Sequence, residues 1–131
     1  MTKQIVINEI ADNLQTYLSK VLNVQFAIST TDKDIEIIGD PNSSNSFLMY
    51  FLQIPENGDY IEITRIFLPP SERKTRKGLG MIRISYAVAR QHNYATVISQ
   101  TTQSFYDYLI NKGAHSLKPN EAVQLLDTTQ I

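Results

Sequence analysis

Apolar positions along the 131 residues switch several times between a period of two and a helical period, and each switch marks an expected element. The run KQIVI, residues 3–7, predicts a short first strand, with Asn8 as the N-cap of a helix after it. Ile10, Leu14, Tyr17, Leu18, Val21 and Leu22 then recur on one helical stripe. Residues 24–30 and 34–39 are short beta-branched runs around the turn-forming TDKD and predict paired strands, followed by a polar loop over 40–46. Residues 47–54 and 60–68 flank PENGD, whose Asn57-Gly58 pair is the strongest hairpin signal in the chain. In the second of these strands Ile61, Ile63, Arg65 and Phe67 are expected on one side. Tyr60, Glu62, Thr64, Ile66 and Leu68 are expected on the other, which sets a carboxylate among mostly buried positions.

Pro69 and Pro70 end that strand, because neither can donate to a ladder. Leu79, Ile82, Tyr86 and Ala89 share a face and predict a helix over 78–91. Residues 94–99 form a compact apolar strand. Residues 102–113 predict a helix carrying Phe105, Leu109 and Ile110 and closed by Gly113, and residues 122–127 add a last strand. The order is strand and helix, an antiparallel meander, then a strand-loop-helix-strand-helix unit. That is a mixed α/β (α+β) fold in one domain spanning 1–131.

Composition narrows the chemistry. Apolar residues make up 42% and charged residues 19%, which is ordinary globular usage and not that of a disordered chain. With no cysteine, disulfides, thiolate zinc sites and cysteine nucleophiles are excluded. His92 and His115 are too few for a histidine-rich metal centre, and their places beside helix ends predict exposed terminal residues. No serine stands in a triad context. The formal net charge is -1, so attraction to a polyanion has to come from local clustering. Acidic residues arrive too early for a signal peptide and no run is long enough for a membrane helix, which predicts a cytoplasmic protein without a membrane partner.

The local cluster is SERKTRKGLG, residues 71–80, where Arg73, Lys74, Arg76 and Lys77 precede Gly78 and Gly80. A strand end, a basic loop and a helix start bring free backbone N–H groups and the positive end of a helix dipole together, an arrangement suited to phosphate. It is not a dinucleotide fingerprint, since Arg83 stands where the third glycine belongs, and it is not a Walker loop.

In its second half the chain resembles the GNAT superfamily of acyl-CoA-dependent N-acyltransferases. Thr75–Gly80, TRKGLG, is similar to the family's Gln/Arg-x-x-Gly-x-Gly/Ala motif, with Thr75 in place of Gln or Arg and with Arg73 or Arg76 able to supply the charge. Downstream, SQTTQSFYDYLINKGA places Ser99 at the position of a family asparagine and Phe105-Tyr106 at its aromatic pair. Gly113-Ala114 resemble the closing Gly-Phe after an insertion of about three residues, near one helical turn. Glu62 matches a general-base position.

The resemblance implies a GNAT-like fold whose sheet splays between its fourth and fifth strands, with acetyl-CoA or another acyl-CoA in the opening. Ile66, Phe67 and Leu68 would line the pantetheine arm. Arg73, Arg76, Lys77, Gly78, Leu79, Gly80 and Met81 would hold the pyrophosphate, and Ser99 would also contact the cofactor. Glu62 would deprotonate a small-molecule or protein amine, and Tyr106 would protonate the departing thiolate. Glu62 also reads as an ordinary salt-bridged strand glutamate. Two other readings stay open. One is a catalytically inactive GNAT-like interaction module, motivated by Thr75 and by little room for the last two strands, with a second copy of the chain supplying the missing wall. The other uses the basic loop 73–77 against nucleic acid, without the base-reading elements that sequence-specific recognition needs.

Overall fold

The computed structural model describes residues 2–73 and 76–131. Among them, four helices and seven strands form one mixed sheet with helices against a single face. The chain begins with α1 (Thr2–Val21), so the expected strand at 3–7 is helix and Asn8 is not an N-cap. The reason is visible in the burial: Val6, Ile7, Ile10, Leu14 and Leu18 are fully buried at helical spacing, while Ile5 stays 53% exposed. A strand would pair Ile5 with Ile7 on one face. The tertiary contacts of a continuous stripe override the β preference of three consecutive beta-branched residues.

β1 (Phe26–Thr30), β2 (Asp34–Gly39), β3 (Phe47–Gln53) and β4 (Tyr60–Ile66) form the expected antiparallel meander. A short helix, α2 (Pro70–Arg73), and the long α3 (Lys77–Gln91) lead to β5 (Ala95–Ile98), which pairs parallel to β4. Then α4 (Gln103–Asn111) leads to β6 (His115–Lys118) and β7 (Ala122–Leu125). The sheet order is β1-β2-β3-β4-β5-β7-β6. Both late strands are therefore present: the tail folds back so that β7 enters beside β5, and β6 forms the edge. The crossovers through α3 and α4 advance in the same direction, and right-handed connections then put both helices on one face.

Register aligns the buried positions. Ile35, Leu52, Ile63, Ile98 and Val123 form one cross-strand row, and Ile61, Thr96 and Leu125 form another. All are buried beneath α1, α3 and α4. The opposite face carries Asp34, Gln53, Glu62, Val97, Gln124 and His115 in register, none of them buried.

The alternation expected along β4 is broken by a bulge. Phe51 pairs with Arg65 and Leu52 with Ile63, which leaves Thr64 as the extra residue. Arg65 is thereby turned to the open face, and Ile66, opposite the buried Tyr50, joins Ile61 and Ile63 on the helical face.

Candidate functional site

β4 and β5 stay paired only as far as Ile63 and Ile98, and the bond from Ser99 N–H to Ile63 O at 3.0 Å is the last between them. Beyond it β4 runs on to Ile66, while the other chain segment turns away at Gln100, whose φ is 56°. Thr101 N–H then bonds Glu121 O, across the far side of β5. The parted strands leave a groove of about 620 Å³, lined by β4 and its extension, the start of α3, the turn after β5, and Phe105 and Tyr108 of α4.

Backbone polarity in the groove follows from pairing. Phe67 N–H donates to Met49 O at 2.8 Å, which makes this a hydrogen-bonded pair. Its neighbour Ile66, opposite Tyr50, therefore directs its N–H and C=O away from β3, to the side on which β5 has ended.

At the other wall α3 starts without a side-chain cap. Arg76 occupies the N-cap with φ 59° and ψ 28°, a left-handed conformation that costs a non-glycine residue about 1 kcal/mol. The first internal bond runs from Gly80 N–H to Arg76 O, so the N–H groups of Lys77, Gly78 and Leu79 lie ahead of the helical ladder. Arg76 is exposed and lines the groove.

The two glycines do different work. A Cβ on Gly78 would meet Ile66 Cγ2 at 3.3 Å, on the groove side. A Cβ on Gly80 would collide with the Tyr17 hydroxyl, so its missing side chain makes room for α1. Met81 is fully buried in the core. Lys77 is also buried, and its ammonium lies 2.9 Å from Glu72 Oε1. Glu72 accepts as well from Asn23 N–H at 2.9 Å, and these donors, the Asn23 N–H first, hold its carboxyl below the ordinary carboxylate value. This cluster joins the residues after α1 to α2 and α3. The Arg73 side chain, Lys74 and Thr75 lie outside the described residues.

Ile66, Phe67, Leu68, Arg76, Gly78, Leu79 and Ser99 are thus brought together around the groove. Glu62 does not line it, but its Oε2 accepts from Ser99 Oγ at 2.8 Å and its Oε1 from Gln53 Nε2 at 3.4 Å. Tyr106 is buried, with its hydroxyl 2.6 Å from Ser116 Oγ on β6, and lies outside the groove lining. Tyr108 lines the groove instead, stacked near Phe105 with centroids 6.2 Å apart.

Helical spacing carries this distinction: Tyr106 is three residues before Leu109, the core residue of α4, and shares its face. Phe105 and Tyr108 form the adjoining stripe. His115 is exposed as expected, whereas His92 is half-buried with Nε2 3.0 Å from Glu9 Oε1 of α1. No helix among the described residues is long and apolar enough to cross a membrane. No protein-family model matches the chain, and no curated protein matches it.

Proposed function

We propose that the chain is an N-acetyltransferase that moves an acetyl group from acetyl-CoA directly to an amine. The observation that carries this reading is the groove where β4 and β5 part, bounded by an N-terminus of α3 without a side-chain cap. An apolar channel between strands with N–H donors and a guanidinium at one end suits a long thiol arm ending in a pyrophosphate. The strand order and the parallel pairing of β4 with β5 support the same reading.

The residues present fit such a group. Arg76 and the N–H groups of Lys77, Gly78 and Leu79 would take the pyrophosphate, and Gly78 keeps that wall close to Ile66 without a side chain in between. Acetyl-CoA supplies an activated acyl thioester. The N–H of Ile66 is directed to where charge on a carbonyl oxygen could be stabilised. Glu62 takes the amine proton from the open face, and Tyr108, in place of Tyr106, donates a proton on the groove side. Lys77, neutralised by Glu72, contributes to the loop's fold and not to an anion-binding patch, which weighs against the nucleic-acid reading.

Calorimetric titration with acetyl-CoA tests the proposal. Heat of binding with a rise in Tm is expected, since ligand at a hundredfold over Kd adds about 2.7 kcal/mol. Absence of both up to millimolar acetyl-CoA overturns it. Binding without transfer to any amine favours the inactive module.

A further inference from the structure

We infer that Ser99 is the positioning residue for Glu62, holding its carboxylate at the point where the groove opens. The inference rests on the proposed acetyl transfer and adds to it a role for Ser99 beyond cofactor contact. Ser99 works in two directions. Its N–H makes the last bond between β4 and β5, to Ile63 O at 3.0 Å, and its Oγ donates to Glu62 Oε2 at 2.8 Å. Gln53 Nε2 approaches the other carboxylate oxygen at 3.4 Å. The Glu62 carboxylate is therefore held between neighbours from β3 and from the end of β5.

A half-exposed strand glutamate left to itself samples several staggered rotamers. A general base must instead stay within hydrogen-bond reach of the proton it takes. The hydroxyl of Ser99 selects one orientation, and because Ser99 lines the groove while Glu62 does not, it also links the carboxylate to the thioester's channel. Its own lone pairs remain able to accept from an arriving ammonium. The same turn fixes both functions: residues beyond Ser99 leave the sheet through Gln100, so Ser99 is the last residue of that segment bonded to β4.

The test measures thiol release from acetyl-CoA with spermidine and a lysine-containing tripeptide as acceptors, alongside calorimetric Kd for acetyl-CoA. Ser99→Ala is expected to lower kcat about tenfold with Kd changed less than about twofold, because a positioning contact is felt in the reaction step. Ser99→Thr, which keeps the hydroxyl, should recover most of the rate. In a Glu62→Gln background Ser99→Ala should cause no further loss, since the two residues act as one unit. Unchanged kcat in Ser99→Ala, a loss of acetyl-CoA binding in that variant, or an additive loss in the Glu62→Gln background overturns the inference. So does acetylated Ser99 found by mass spectrometry during turnover, which makes it a nucleophile. Binding of acetyl-CoA by the wild-type chain without acetylation of either amine overturns this inference and leaves the cofactor site standing. Failure to bind acetyl-CoA overturns the proposed function and the inference together.

Discussion

Tyr108 and Tyr106 lie within one turn of α4 and face different surroundings, so they offer a direct contrast. Tyr108 lines the groove, while the Tyr106 hydroxyl is engaged with Ser116. In the proposed reaction Tyr108→Phe should lower kcat about a hundredfold with little change in acetyl-CoA Kd, as expected for loss of a general acid. Tyr106→Phe should lower Tm and leave kcat close to wild type, because it removes a partly buried hydrogen bond worth about 1 kcal/mol. A kcat that tracks Tyr106 instead assigns the proton to the buried hydroxyl.

Gly80 makes a similar point about packing. Alanine is favoured over glycine in a helix by roughly 1 kcal/mol, yet here its Cβ collides with Tyr17. The atoms met are the outer end of the half-buried Tyr17 side chain, which can swing. Gly80→Ala should therefore give none of the usual gain and change stability by no more than about 1 kcal/mol in urea unfolding, whereas the same change in a Tyr17→Ala background should be stabilising. Additive effects would show that the contact does not set the cost.

At the scale of elements, α1 shows how a correct reading of apolar residues can still assign the wrong element. Residues 3–7 satisfy a strand pattern locally, and only the continuation of their burial through Ile10, Leu14 and Leu18 makes them helix. The consequence is measurable: Ile5→Lys should change stability by less than about 0.5 kcal/mol, whereas Ile7→Ala should cost about 2–5 kcal/mol. Comparable costs at the two positions would speak for a strand. The β4 bulge is a second case. Strict alternation places Arg65 with Ile63, but the extra residue Thr64 turns Arg65 outward, where its guanidinium lies 5.2 Å from the Phe67 ring centroid. Strand propensity contains nothing that announces such a bulge, because it arises from pairing with β3. By contrast, the meander, the hairpin at Asn57-Gly58, α3, β5 and α4 were legible, since each has a period and a turn or cap of its own.

Across the whole molecule, the buried Glu72 ties the residues after α1, α2 and α3 into one unit at the groove's edge. Because its folded carboxyl lies below the ordinary carboxylate value, held there first by Asn23 N–H and then by Lys77, it favours the folded state while it stays ionised. That contribution is fully present above the unfolded-state value of roughly 4 and is lost as pH falls through the lower folded value. Unfolding midpoints measured from neutral to acid pH should therefore fall less steeply in Glu72→Gln than in the wild type. Equal slopes would remove Glu72 from the acid sensitivity.

Local pattern alone carries the mixed α/β class, the order of most elements and the basic, glycine-bearing entrance to α3, because periodicity, proline and hairpin chemistry act over neighbouring residues. It also brought Glu62, Ile66, Arg76, Gly78 and Ser99 into consideration. Packing in three dimensions settles that Gly80 faces Tyr17, that Lys77 pairs with Glu72, that Tyr108 and not Tyr106 lines the groove, and that Ser99 bonds Glu62. Those outcomes depend on register and on which helix lies across which strand: Tyr17 meets Gly80, Asn23 meets Glu72 and Ser99 meets Glu62 across tens of positions that leave no mark on the local pattern, and even the nearby Lys77–Glu72 pair forms where packing buries both side chains.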